Sequence, residues 1–555
     1  MTRLPDRPNL AQLKKQAKDL LTLYRRRDPA ALSRFRDSLP LAAGRDDAAI
    51  AALGLRLHDA QSCLAREYGF AGWADLAHFV AAREISIAQP SELLQTWLRL
   101  SYPGDIAGGM DRARPAVAAR LLDEHPGLLG DDAHLACAIG DETRLRRAVG
   151  EDPQWIDRPG GPLHLPPLVA VTHSGFLRLP AFRDRLHACA RFLLEAGADP
   201  NQQVGNRWPP ASPAAPSQEH PLSALYGAAG QNHDPILTGL LLDAGANPND
   251  GESLYHAVES HDCTRRLLEA GARVAGSNAL FRALDLDSLA VLRLLLSNGA
   301  DPNEPAPGAP AAHGGAALLW AIRRRRSPAH IAALLEAGAD PAATTPDGVS
   351  AHVWALRYGL IEVAEMLDSA GDAPPLPHEE RFLAACARGD AAEARRLQGE
   401  RPDLPTALSE AQLRLLPELA ATGNGAAVEV MVTLGWPITV AGGDWQASAL
   451  NHAVFRGDAA MTRFLLQHGA SWREMHAFDD DASGTLGWAS VNEPEPGGDW
   501  LGCAEALVAH GMPGAEPGPA NSGTVVVDGR RKRFSDEVTD FLLGASRPPT
   551  PQSAI

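Results

Sequence analysis

Lysine is almost missing from this 555-residue chain: Lys14, Lys15, Lys18 and Lys532 stand against forty-seven Arg. A phosphate-cradling loop needs a Lys directly behind its glycines, and beyond residue 18 only Lys532 is available, so nucleotide binding of that kind is excluded. No single segment monopolises the Arg, and the skew reads as a coding bias. Cysteine is scarce too. Cys63, Cys137, Cys189, Cys263, Cys386 and Cys503 lie far apart with no C-x-x-C pair. Most sit in apolar helical runs such as LACAIGD and FLAACARGD, where a thiol acts as a small packing residue, not as part of a disulfide framework. No apolar run approaches the roughly eighteen residues a membrane span needs, and no apolar segment backs the first charges. The expectation is therefore a cytoplasmic protein without a membrane span. There is no G-x-S-x-G elbow, no H-E-x-x-H and no Gly-rich dinucleotide turn; Gly423-Asn424-Gly425 lacks the residues that would complete one. No catalytic residue, no enzyme activity and no cofactor are expected.

What is present is Ala and Leu. Hydrophobic residues make up 45% of the chain and aromatics only 5%, which favours close helix packing and an all-α fold. At this length one compact core is excluded, leaving several domains or an array that grows by addition. The net charge is −17, yet residues 1–36 hold ten Lys/Arg against three Asp, a balance of +7, so the remainder carries −24. In this basic head Leu10, Leu13, Ala17, Leu20, Leu21 and Tyr24 recur at helical spacing, with Lys14, Lys15 and Lys18 on the other side. Further helices are expected from Leu57 to Glu67 and from Trp73 onward. A basic helix face can hold a phosphate or an acidic partner, although such faces are more often simply solvated.

The strongest signal is a repeated phrase. Glu195-Ala196-Gly197-Ala198-Asp199-Pro200-Asn201 returns as Asp243–Asn249, Glu269–Arg273, Ser297–Asn303, Glu336–Pro341, Ser369–Asp372 and Gln467–Ser471. Each copy closes a leucine-rich run and places Gly where a helix end needs a left-handed residue. Two units, Leu145–Ile156 and Arg395–Pro405, close on an acidic residue and Pro instead. Spacings along Gly197, Gly245, Gly271, Gly299, Gly338, Gly371, Gly435, Gly469 and Gly511 cluster near 33, with insertions and deletions. That period marks stacked helical repeats.

The segment Asp347-Gly348-Val349-Ser350-Ala351, then Ala355, Gly359, Glu362-Val363-Ala364 and Leu367, resembles an ankyrin repeat, whose pattern is roughly DGxTPLHxAxxxGHxEVVxLLLxxGAD. Ser448–Ala453, Arg456-Gly457-Asp458 and Phe464-Leu465-Leu466 resemble it as well. The resemblance spans roughly residues 131–515 and implies an ankyrin-type helical solenoid of about ten degenerate repeats. Residues 1–83, with Ala65–Phe70 (AREYGF) and Trp73, are similar to a leader found ahead of ankyrin arrays in bacterial proteins. Where the family writes Thr-Pro-Leu-His, this chain has Pro166-Pro167-Leu168-Val169, His220-Pro221-Leu222-Ser223, Asn278-Ala279-Leu280-Phe281 and Ser350-Ala351-His352-Val353. The capping Thr becomes Ser or Asn in some repeats and is lost in others, at roughly 1 kcal/mol for each missing cap.

The expected organisation is a basic helical region over 1–83, a helical connector or degenerate repeat over 84–130, the array over 131–515, and a closing segment over 516–555. In that last segment Thr524–Val527 and Arg530–Phe534 flank Asp528-Gly529, a strong hairpin signal. A short helix over Ser535–Leu543 and a disordered tail should follow. Three Pro/Gly-rich insertions, Gln202–Glu219, Glu304–Gly315 and about Met475–Asp499, should be loops on the side of the projecting turns, the fingers.

The resemblance implies a non-enzymatic protein-binding scaffold or adaptor, using the concave face and finger loops of the array. The alternative is nucleic-acid or anionic-surface binding through the basic head, with the array recruiting a protein. Partner-binding candidates are Arg207, Trp208, Asp444, Trp445 and Trp472, because Trp and Arg dominate binding hot spots and these stand in or beside loops. Packing of each Trp against its own loop is the competing reading. Asp479-Asp480-Asp481 offers oxygen ligands for a divalent cation, but three adjacent carboxylates without a spaced partner are commoner as a solvated loop. No metal site is therefore expected.

Overall fold

The computed structural model describes residues 4–5, 8–88, 92–110, 112–305, 315–368, 374–518 and 524–546. The described residues are 56% helix, and the chain forms two compact units that divide between Asp301 and Pro302.

The first unit opens with helices over Leu10–Arg25, Pro29–Ser38, Asp47–Ala51, Leu57–Glu67 and Trp73–Ala88. Leu13, Ala17, Leu20, Leu21 and Tyr24 of the first helix are all buried. The Tyr24 hydroxyl donates to the Ile50 carbonyl at 3.0 Å, and its ring meets Phe35 edge-on. The two helices between Tyr24 and Leu57 go beyond the sequence reading. The first of them starts on a local signal: Asp28 caps it through the Ala31 amide and Pro29 takes the first turn, where a missing N–H costs nothing. The helix Leu93–Ser101 then stacks onward. Trp97 is fully buried, its Nε1–H donates to the Ala118 carbonyl at 3.1 Å, and the Tyr102 hydroxyl reaches the Ala170 carbonyl at 2.9 Å.

Helix pairs follow in both units. Gly197 closes its helix at φ +100°, and its seven described counterparts lie between +86° and +97°; the eighth, Gly371, is outside the described residues. The last residue of the full phrase has a second use. Asn201 Oδ1 accepts from the Asn247 amide, Asn249 Oδ1 from the Arg273 amide and Asn303 Oδ1 from the Asp340 amide, each at 2.8 Å. Each Asn therefore ties its own turn to the next copy of the phrase. The substituted caps behave unequally. Ser350, at the Thr position, accepts from the Val353 amide; in His220–Ser223 the cap is Ser223, three residues past the aligned Thr position, accepting from the Tyr226 amide; Asn278 is left-handed at φ +60° and makes no side-chain cap.

Two of the expected loops are corrected. Within Gln202–Glu219, Gln203–Asn206 pairs antiparallel with Ser217–Ser223, with an irregularity between Val204 and Asn206. Within Met475–Asp499 lies the helix Ala482–Asn492, capped by Asp481. Its sequence, ASGTLGWASVN, has poor intrinsic helix propensity, and burial of Ala482, Leu486 and Ala489 supplies what propensity withholds. The third insertion falls mostly outside the described residues.

At the C-terminal end Val525–Val527 pairs with Arg530–Lys532, and Glu516–Pro517 adds a third strand that the sequence does not announce. The helix Asp536–Ala545 follows, its cap Ser535 bound to Ser490 Oγ at 3.0 Å. Residues 547–555, most of the expected tail, lie outside the described residues. All six Cys are fully buried as packing residues. Among the described residues no helix is long and apolar enough to cross a membrane.

Candidate functional site

In the second unit two loops, Gly443–Gln446 and the stretch carrying His476 and Phe478, and two helices, Ala449–Phe455 and Ala482–Asn492, assemble an aromatic cluster. The first loop, Gly443–Gln446, is held between the strands Ala441–Gly442 and Ala447–Ser448. Gly443 is left-handed (φ +75°), and a Cβ there would stand 2.6 Å from His452 Nε2, so only Gly lets the loop lie this close. His452 is buried, and its Nε2–H donates to the Gly442 carbonyl at 3.2 Å. Burial lowers its pKa and keeps the ring neutral. The loop is fixed from below by charge. Buried Arg323 clasps Glu418 through two 3.1 Å bonds and reaches Asp444 at 2.7 Å, while Arg324 meets the other Asp444 oxygen at 2.8 Å. The Gly443 amide adds a 3.1 Å bond to Glu418. Burial pushes the Asp444 carboxyl up, but the two guanidinium groups outweigh it and hold it at about 2.

On this base stands Trp445. Its ring contacts His452 at 4.8 Å, Phe455 at 5.7 Å and His476 at 4.9 Å between centroids. The Ala477 amide donates to the Trp445 carbonyl at 3.0 Å and joins the loop carrying His476 and Phe478 to Gly443–Gln446. Outward from this core, Trp488 stacks on Phe455 at 5.4 Å and 9°, and Phe478 leans on His476 at 6.0 Å. Phe478 is 75% exposed and Trp488 52% exposed, with Met475 and Val491 also exposed. Four large apolar residues exposed within seventeen positions depart from the scattered single exposures normal on a soluble surface.

The acidic triplet beside the cluster is partly neutralised from a distance in sequence. Lys532 Nζ bonds Asp480 and lies 3.4 Å from Asp481 Oδ1. Burial raises the Asp481 carboxyl, but the Ser483 hydroxyl and Lys532 ammonium prevail and hold it below the usual range.

The sequence candidates separate by burial. Arg207 is 2% exposed and donates to the Ile106 and Leu163 carbonyls at 2.8 and 2.7 Å. Its neighbour Trp208 is 45% exposed. Trp472 is buried beneath the Arg473 guanidinium, 4.2 Å from its ring centroid. Asp444 and Trp445 come together with the aromatic cluster, one anchoring it and the other forming its centre. Phe478, Trp488, Met475 and Val491 escape sequence reasoning, although four apolar residues in a Gly, Asp and Pro-rich stretch were a usable signal.

Residues 225–306 match the family model described as ankyrin repeats (3 copies). Among solved structures it is similar to the ankyrin repeat domain of Bcl-3, a member of the IkappaB family, at 21% identity over 43% of this chain and 92% of that one, with a TM-score of 0.20. It is similar also to the human ASB11 ankyrin repeat domain, at 19% identity over 43% of this chain and 99% of that one, again with a TM-score of 0.20. No curated protein matches the chain. Ankyrin repeat domains generally mediate protein–protein contacts.

Proposed function

We propose that this protein is a non-catalytic binding scaffold whose second unit captures a protein partner on the aromatic cluster around Trp445, with Phe478 and Trp488 as the contact side chains. The array it rests on would comprise about ten degenerate repeats over 131–515, behind a basic helical region over 1–83 and ahead of a closing segment over 516–555. The observation that carries the reading is the pairing of rigid support with exposure. Trp488 is stacked on Phe455 and yet half exposed, so its rotamer is settled before a partner arrives and little entropy remains to be lost. Rigid aromatic anchors of this kind dominate binding energy, each costing about 2 kcal/mol or more when truncated.

The test is cross-linked capture from the native host, identification of the partner by mass spectrometry, and affinity measurement with Phe478→Ala and Trp488→Ala. Each substitution should weaken binding by about thirtyfold, the equivalent of about 2 kcal/mol, with the far-UV circular dichroism unchanged. Unaltered affinity in the double variant would overturn the reading.

A further inference from the structure

The first unit contains a polar cluster that the protein-binding reading does not use. Asp105, from the short helix Gly104–Ala107, is buried beside Tyr226, whose hydroxyl lies 3.1 Å from Asp105 Oδ2 and 3.3 Å from Gln231 Oε1. A single phenol proton thus faces two acceptors. The Tyr226 ring lies 5.7 Å from the His173 ring on one side and 5.2 Å from His256 on the other. His256 Nε2 is in turn 3.3 Å from Glu252. The Gly227–Gln231 segment that carries Gln231 is a π-helix, a form that occurs mostly as single turns, frequently at functional sites. Gly227 is needed there, since a Cβ would stand 2.5 Å from His173 Nδ1.

Three acceptors of this cluster have no hydrogen-bond partner among the described residues: Asp105 Oδ1, His173 Nε2 and Asn232 Oδ1. His173 is fully buried, and its Nδ1 lies 3.2 Å from the Val169 carbonyl, which can only accept. The proton is therefore on Nδ1, and Nε2 presents a lone pair. Asn232 spends its amide hydrogens on the Thr172 and Gly227 carbonyls at 2.9 and 3.2 Å, and its oxygen is left without a donor. A buried acceptor left without a donor loses the hydration it had in the unfolded chain and gains nothing in return. Arg207 Nε is an unpartnered donor in the same neighbourhood, so acceptors exceed donors by three to one. The guanidinium ends nearby are committed elsewhere: Arg207 binds the Ile106 and Leu163 carbonyls, and Arg178 the Gln231 carbonyl at 2.8 Å. Asp250 and Glu252 add negative charge around Tyr226, and burial pushes the Asp105 carboxyl above its usual range.

We propose that the Asp105, Tyr226 and His173 cluster is a binding site for a primary alkylammonium group, carried either by a lysine side chain or by a free small amine. An ammonium brings three N–H donors and one positive charge, which answers both the unsatisfied acceptors and the carboxylate.

The experiment uses the full chain with 13C-labelled histidine rings and follows the His173 and His256 signals, assigned with His256→Gln. Three probes are titrated: n-butylammonium chloride, an end-capped Gly-Gly-Lys-Gly-Gly peptide, and the same peptide with its lysine acetylated. Saturable shifts with butylammonium alone identify a free-amine site, and saturable shifts with the lysine peptide identify a side-chain site; either result supports the proposal if the acetylated peptide is inert. Asp105→Asn should weaken binding by about tenfold or more, because it removes the charge and keeps the shape. Should that variant fail to fold, the comparison of charged with acetylated peptide in the parent chain still decides. Absence of any saturable shift, which would mean that ordered water alone satisfies the acceptors, overturns the proposal. So does equal response to the acetylated peptide, or unchanged binding in Asp105→Asn.

Discussion

Asn249 grips the turn of the following repeat at two points: its Oδ1 accepts from the Arg273 amide at 2.8 Å, and its Nδ2 donates to the Gly271 carbonyl at 3.2 Å. Asn303 makes the same two-point link to Asp340 and Gly338, at 2.8 Å each. Because repeats are stabilised chiefly by their neighbours, this side chain acts between units as well as within one. Asn249→Ala should lower stability by about 1 kcal/mol, the net worth of a solvent-accessible hydrogen-bonding pair. Urea unfolding of the full chain checks it, and hydrogen exchange should report the loss at residues 269–273 first.

Glycines in this array fall into two kinds with different penalties. Gly338 is left-handed at φ +94° with open space where a Cβ would sit, whereas at Gly359 (φ +70°) a Cβ would meet the Ala387 carbonyl oxygen at 2.6 Å. Gly338→Ala should cost only the backbone conformation, about 1–2 kcal/mol. Gly359→Ala should cost more, since two neighbouring repeats must also separate. Chemical denaturation of the two variants side by side tests the order.

Acid should destabilise the fold in two steps. Burial depresses His173 to about 4, so the unfolded chain takes up a proton there first, and stability falls as pH drops from about 6.5 to 4. Asp444, held at about 2, contributes stability that is complete above its unfolded value near 4 and is lost as pH falls from there toward 2. Comparing the parent chain with Asp444→Asn by urea unfolding at pH 6 and pH 3 should show the difference between them shrinking at the lower pH.

Lys532 is buried and answers Asp480 and Asp481. Removing one partner of a buried pair strands the other charge, which is costlier than never having formed the pair. Lys532→Met should destabilise the second unit by about 3 kcal/mol, while Lys532→Met combined with Asp480→Asn and Asp481→Asn should recover part of the loss. Thermal melting of the three proteins provides the comparison.

What the sequence by itself determined is the element type and the repeat. Leucine periodicity marks the helices, and the recurring Gly is a local necessity: φ near +90° is strained for any residue with a side chain. The hairpin turn at Asp528-Gly529 was equally legible, because turn chemistry is local. The tertiary structure alone decided which residues are available to a partner. Arg207 and Trp208 are adjacent in sequence, yet one is sealed against the Ile106 and Leu163 carbonyls and the other stands in solvent. The helix Ala482–Asn492 was invisible because contacts, not propensity, create it, and with it went Trp488. The clasp of Arg323 on Glu418 and Asp444 joins positions 95 and 121 residues apart. Such pairings depend on how repeats stack, a sum of many small packing terms that no local pattern encodes.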